Sequence, residues 1–202
     1  MTITFDALVL AGGRGTRLGG ANKPELLLHG QRLVDRVIDA ARRAGAQRVV
    51  VIGDAPTGAK ADALVREDPT FAGPLAGIAA GIGAVDHPWC LILACDLQHP
   101  DAVIGTLLKN LDRRTADGLV LRDAQGYLQW LAGIYRTTAV AEACTELGDR
   151  LVNAPVRAAL GTLDLAELPV DDETTNDIDT PQALERARNN EPTKMKPNNE
   201  KD

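Results

Sequence analysis

Hydrophobic positions fall into short unbroken runs separated by stripes of helical spacing. Residues 5–10 (FDALVL), 48–52 (RVVVI) and 89–94 (WCLILA) are nearly all apolar. A strand with one wet face alternates, so unbroken runs predict strands covered on both faces. Between the first two, apolar side chains at 33, 34, 37, 38, 40, 41 and 44 form a helical stripe, which Gly45 stops. Residues 54–63 read as a loop or short helix, and Glu67-Asp68 as the end of a short strand. A small-residue helix is predicted from Gly73 to about Val85, and another over 101–111 with Asp101 as its capping candidate. Residues 118–122 and 127–135, joined by Asp123-Ala124-Gln125-Gly126, predict a β-hairpin. Helical stretches over 139–147 and 152–160 and a last strand at 168–171 follow. The final helix, 181–188, takes Thr180 or Asp179 as N-cap and Pro181 as its first residue. Strands alternating with helices predict an α/β class, a Rossmann-like three-layer αβα architecture. Its sheet is mostly parallel and carries a small β-hairpin elaboration.

The 202 residues suit a single domain over 1–189, followed by a polar tail, 190–202, expected to be disordered. The tail's three bases and three acids cancel, so the net charge of −6 belongs to the folded body. Aromatics are 3%, which leaves Ala, Val, Leu and Ile to build the core. An acidic chain lacks the basic face of a general nucleic-acid binder. Its charge is uneven: residues 14–48 hold eight bases and three acids, residues 158–185 eight acids and no Lys or Arg. That suits a phosphate ligand at one end and a metal at the other, or simply two solvated surfaces of opposite sign. No apolar run approaches the ~18–20 residues of a membrane span, and no export signal is seen, so a cytoplasmic protein without membrane contact is expected. Cys90, Cys95 and Cys144 are expected to be reduced core residues, with Cys90 and Cys95 on opposite faces. His29, His87 and His99 have no zinc spacing.

The richest chemistry follows the first run: Leu10-Ala11-Gly12-Gly13-Arg14-Gly15-Thr16-Arg17-Leu18-Gly19-Gly20-Ala21-Asn22-Lys23-Pro24. Open α/β sheets bind ligands beyond the carboxyl ends of their strands. Glycines there let successive N–H groups approach a phosphate, and Arg14, Arg17 and Lys23 add positive charge. It is not a Walker A loop, because Asn22 precedes Lys23 and Pro24 follows it. It is not a dinucleotide fingerprint either, because position 18 is Leu. The plain alternative is a surface loop whose glycines make turns. Asp96, just past the third run, faces the same crevice and is the first choice of metal ligand, unless it only starts a turn. Asp177 or Asp179 would be the second. Asp179 is equally an N-cap, which favours Asp177. Tyr127, Trp130 and Tyr135 either floor a substrate pocket or, more plainly, belong to the core.

The loop resembles the signature of molybdenum cofactor guanylyltransferase-like nucleotidyltransferases: Leu-Ala-Gly-Gly, then Arg-Met/Leu-Gly, then Asp-Lys. Further matches follow in register. They are Arg66-Glu67-Asp68 with Gly73-Pro74-Leu75-Ala76-Gly77, then Ala94-Cys95-Asp96, then Asp177-Ile178-Asp179-Thr180-Pro181. The resemblance covers residues 5–188. Asn22 stands where the family carries Asp, Ile52-Gly53 where some relatives carry Asn, and Asp177 and Asp179 where several carry Asn. The resemblance implies a nucleotidyltransferase-type fold and Mg²⁺-dependent transfer of GMP from GTP to the phosphate of molybdopterin, releasing pyrophosphate. It implies catalytic roles for Arg17, Lys23 and Asp96. Nucleotide contacts would come from Leu10, Ala11, Gly12, Gly13, Arg14, Lys23, Asp68, Gly73, Pro74, Leu75, Gly77 and Asp96, and metal contacts from Asp96 and Asp177. Transient contact with molybdenum cofactor insertion proteins would follow. The rivals are a cytidylyltransferase, a transferase to a sugar-phosphate or phospholactate-type acceptor, and a non-catalytic nucleotide sensor or cofactor chaperone.

Overall fold

The computed structural model describes residues 3–12, 22–53 and 60–189. Nine strands are present among them: β1 (Phe5–Leu10), β2 (Leu27–Leu28), β3 (Gln31–Arg32), β4 (Val49–Ile52), β5 (Ala63–Val65), β6 (Trp89–Ala94), β7 (Gly118–Arg122), β8 (Leu128–Arg136) and β9 (Leu165–Pro169). The helices are α1 (Leu33–Arg43), α2 (Pro74–Ile82), α3 (Pro100–Lys109), α4 (Thr137–Leu147), α5 (Arg157–Leu160), α6 (Asp172–Thr175) and α7 (Pro181–Asn189). Seven strands form one sheet in the order β5-β4-β1-β6-β8-β7-β9. The pairs β1–β4, β1–β6, β4–β5 and β7–β9 are parallel, and β8 runs against both its neighbours. The hairpin read around residues 123–126 is β7–β8, and it continues the main sheet. The separate small sheet is β2–β3. Its turn residues His29 and Gly30 both have positive φ, as the tightest hairpins require.

The unbroken apolar runs are explained by cover on both faces. Ala7, Val9, Leu91 and Leu93 pack with α1 and α3, while Leu8, Leu10, Cys90 and Ile92 pack with α2, α4 and α5. Side chains alternate across a strand, so each run feeds two cores. Cys90 and Cys95 fall in opposite cores, and all three cysteines are buried and free. A smaller cluster of Leu28, Leu33, Ile178, Leu184 and Ala187 ties the C-terminal segment to the body.

Several predicted boundaries shift. Strand β5 ends at Val65, so Glu67 and Asp68 lie beyond it, and the last strand, β9, starts three residues before the predicted 168. Residues 152–160 are helical only over α5, because Asn153 has φ +56° and Pro155 disfavours helix at the residue before it. Helix α3 starts at Pro100 after His99, so Asp101 sits in the first turn and pairs with Arg43 instead of capping. Thr180 caps α7, its hydroxyl accepting from the Ala183 N–H at 3.1 Å. Of the aromatics, Tyr135 is fully buried and donates to the Trp130 carbonyl at 2.8 Å, Trp130 is partly packed, and Tyr127 is 67% exposed. The tail, 190–202, lies outside the described residues.

Candidate active site

A cleft of about 520 Å³ opens at the carboxyl ends of the parallel strands. Leu10 and Gly12 line it from the end of β1, Ile52 from β4, and Ala94, Cys95 and Asp96 from the end of β6. Glu67 and Phe71 follow β5; Gly73, Pro74 and Gly77 come from the start of α2; Lys23, Leu131, Asn153 and Asp177 complete the walls.

The glycines let backbones close in. Gly53, at φ +111°, presses on Gly12, and a Cβ there would lie 2.6 Å from Gly12 N and Cα. The Ala11 N–H donates to the Ile52 carbonyl at 2.8 Å, and the Cys95 N–H to the Leu10 carbonyl at 3.0 Å, so the ladder runs on past the strands. Gly77 and Gly81, one turn apart on α2, meet the Ile52 side chain where a Cβ would clash. This brings the first turn of α2 down onto the sheet, after a left-handed Gly73 at φ +97°.

Lys23 and Asp96 form an ion pair inside the cleft, and Asp96 is only 8% exposed. Asp177 is brought beside it by backbone pairing. Leu97 and Asp177 form an antiparallel bridge, with the Ile178 N–H donating to the Asp96 carbonyl and the Gln98 N–H to the Asn176 carbonyl, both at 2.9 Å. Asp177 is exposed as a residue at the rim, yet its carboxyl is partly desolvated. Its pKa is raised, first by that desolvation, then by the like charges of Asp96 and Asp179, with Lys23 pulling the other way. Two carboxylates repelling each other next to a lysine form a donor set that a divalent cation relieves. Among the described residues no group of three or more His, Cys, Asp or Glu side chains is arranged to hold a metal. A pair completed by phosphate oxygens and water is the arrangement that suits Mg²⁺.

The other sequence-predicted residues divide. Leu10, Gly12, Lys23, Gly73, Pro74, Gly77, Asp96 and Asp177 share the cleft. Ala11 is buried behind it. Leu75 turns its side chain into the core, fully buried, so only its backbone is available. Asp68 is exposed and lies outside the cleft lining, where its neighbour Glu67 stands instead. Gly13, Arg14 and Arg17 lie outside the described residues. Sequence reasoning passed over Phe71, Leu131 and Asn153. Phe71 and Asn153 adopt positive φ in irregular segments, and the Asn153 N–H donates to the Ala72 carbonyl at 2.6 Å. Asn153 ahead of a proline was the one available signal. Asp179 faces a neighbouring polar pocket with His99, Glu173 and Arg186.

A parallel sheet ending in such a cleft, with a lysine, two carboxylates and close backbone, defines the class: a nucleotidyltransferase. The chain belongs to the MobA-like NTP transferase domain family, which it matches over residues 7–163. It is 35% identical over 185 residues to the molybdenum cofactor guanylyltransferase of Pseudomonas fluorescens (strain SBW25), covering 89% of this chain and 92% of that protein. In fold it is similar to the molybdopterin-guanine dinucleotide biosynthesis protein A of Archaeoglobus fulgidus, with TM-score 0.67, 21% identity, and 91% and 97% of the two chains covered. The 2-C-methyl-D-erythritol 4-phosphate cytidylyltransferase of Thermus thermophilus has the same fold, with TM-score 0.65, 19% identity, and 94% and 98% covered. No helix among the described residues is long and apolar enough to cross a membrane.

Proposed function

We propose that this protein transfers GMP from GTP to the phosphate of molybdopterin and releases pyrophosphate, with Mg²⁺ required. The observation that carries the reading is the meeting of Lys23, Asp96 and Asp177 in one cleft with the backbone at Leu10 and Gly12. The relatives' names supply donor and acceptor.

A phosphate oxygen of the acceptor attacks the α-phosphorus, and the bond from that phosphorus to the bridging oxygen of the β-phosphate breaks. The acceptor phosphate is already anionic at neutral pH, so no protein nucleophile is needed. Positioning and charge neutralisation do the work. Lys23 leaves Asp96 for the triphosphate, to whose β- and γ-phosphates Arg14 and Arg17 of the sequence's glycine loop would add positive charge. Asp96 and Asp177 would hold Mg²⁺, which when bound supplies charge neutralisation on the phosphates and the leaving pyrophosphate.

The base end of the cleft lies over β4 and β5. Glu67 follows β5 and Asp96 follows β6, three strand spacings apart and so about 14 Å along the sheet edge. Glu67 Oε1 accepts from the Phe71 N–H at 3.1 Å, and Oε2 faces Gly77. A carboxylate accepts only. Guanine presents adjacent N1–H and N2–H donors, whereas cytosine and adenine present one donor beside an acceptor that a carboxylate repels. Glu67 therefore supports GTP as donor.

The test is pyrophosphate release from GTP, CTP and ATP, each with molybdopterin and with or without Mg²⁺. Release from GTP with Mg²⁺ is expected. Release from CTP alone would make it a cytidylyltransferase. Nucleotide binding without release under any condition would make it a sensor or chaperone.

A further inference from the structure

Arg36 closes the first turn of α1, on a helix whose other arginines pair with carboxylates: Arg42 with Asp62, and Arg43 with Asp101. Arg36 is used differently. Its Nη2 donates to the backbone carbonyl of Gln98 at 2.8 Å, 62 residues away. Its Nη1 is buried and meets no acceptor among the described residues. A half-buried guanidinium with one fixed acceptor is a poor way to fill space, since an apolar side chain of similar volume would avoid its desolvation cost.

What it holds accounts for it. The carbonyl of Gln98 is taken by Arg36 and the N–H of Gln98 by the Asn176 carbonyl. Two residues further in, the Asp96 carbonyl accepts from the Ile178 N–H. The bridge between Leu97 and Asp177 is isolated, a ladder of two hydrogen bonds with no strand on either side to extend it. It fixes the distance between two like-charged carboxylates that would otherwise drift apart.

We propose that Arg36 is a positioning residue. By clamping the Gln98 carbonyl it keeps this bridge in register, and so keeps Asp96 and Asp177 at the spacing that receives a divalent cation together with the donor phosphates. The inference rests on the transfer reading for its catalytic consequence, but the clamp itself is a separate property of the chain.

The experiment compares Arg36→Met, which keeps the stem and removes the donors, with Arg36→Lys, which keeps a donor. Pyrophosphate release from GTP is measured against Mg²⁺ concentration. Amide hydrogen exchange is followed over residues 96–98 and 176–178, and Mn²⁺ binding is read by electron paramagnetic resonance. In Arg36→Met the half-saturating Mg²⁺ concentration and the Mn²⁺ dissociation constant should rise about 10–100-fold, as for lost outer partners of metal ligands. The KM for GTP at saturating Mg²⁺ should stay within about twofold. Exchange should speed up in the two bridge segments and not in β1 or β6, and Arg36→Lys should restore most of each effect. Unchanged metal dependence, or exchange that rises equally across α1 and the strands, overturns the proposal. If Arg36→Met does not fold, Arg36→Gln against Arg36→Lys makes the same comparison. If the wild-type protein releases no pyrophosphate from any triphosphate, the transfer reading fails, and the exchange and Mn²⁺ measurements still decide the role of Arg36.

Discussion

Asp6 and Asp96 stand at opposite ends of the central strand pair, and they are the buried charged residues among those described. Asp6, in the amino-terminal half of β1, has no exposure at all. Its Oδ2 accepts from the N–H groups of Asp86 and His87 at 2.8 and 3.1 Å, and its Oδ1 lies 2.8 Å from His87 Nδ1. Asp96, past the carboxyl end of β6, has Lys23 as its side-chain partner and a repelling Asp177 nearby. At one end the chain satisfies the carboxylate with its own groups, two backbone N–H and the His87 ring. At the other it opposes the carboxylate with the Lys23 ammonium, which in the proposed function a triphosphate would draw away. Burial alone does not mark a functional carboxylate; what the fold leaves to be satisfied does.

The comparison breaks most visibly through substitution of the two residues themselves. Asp96→Asn should lower GMP transfer by about 10³-fold or more, with the thermal midpoint little changed. Asp6→Ala should do the reverse. Loss of the acceptor for the Asp86 and His87 N–H groups should cost about 2 kcal/mol in urea unfolding, with kcat of the folded protein within about twofold. A kcat effect of Asp6→Ala without a shift in the unfolding midpoint would erase the distinction.

Lys23→Ala sharpens it from the other side. It removes a phosphate contact and leaves Asp96 unpaired. A loss in kcat/KM for GTP on the order of 10²-fold is expected, larger than any change in acceptor affinity. Equal weakening of both substrates in steady-state kinetics would contradict the exchange of Asp96 for triphosphate. Gly53→Ala tests the close backbone at the same end. Its Cβ would fall within 2.6 Å of Gly12 at a left-handed φ. Destabilisation of about 2 kcal/mol is expected, read by urea unfolding, with a raised KM for GTP.

The smallest effect concerns the thiols. Burial pushes Cys144 up to about 11, and raises Cys90 and Cys95 further. A raised thiol pKa keeps the protonated, unreactive form at pH 8. A thiol reagent at that pH should therefore report no cysteine in the native protein and all three only in denaturant. A fast-reacting native thiol would show that Cys95, which lines the cleft, opens to solvent.

That Leu10, Gly12 and Asp96 share the cleft was legible because each stands at or just past the end of an apolar run that marks the rim of the sheet. Lys23 was legible from its motif, and residues 13–21 lie outside the described residues. Glu67 and Asp68 were legible only as a pair. The two lie past the end of β5 where the chain bends, and the motif does not say which one faces inward. Leu75 shows the same limit within a motif on a helix: the segment lines the cleft while this side chain supports the core. Phe71, Leu131 and Asn153 carried too little local pattern, since their place depends on where an irregular segment or a distant strand passes.

The sequence by itself determined the elements and the chemistry offered at their ends, because hydrophobic period and glycine placement act over a few residues. Only the tertiary structure decided that Asp177 lies against Asp96, that Arg36 reaches Gln98, and that Asp6 is sealed by residues 86 and 87. Those meetings are made largely by backbone hydrogen bonds and sheet order. A backbone N–H or carbonyl is the same in nearly every residue, so its partner leaves no mark in the sequence until the chain is folded.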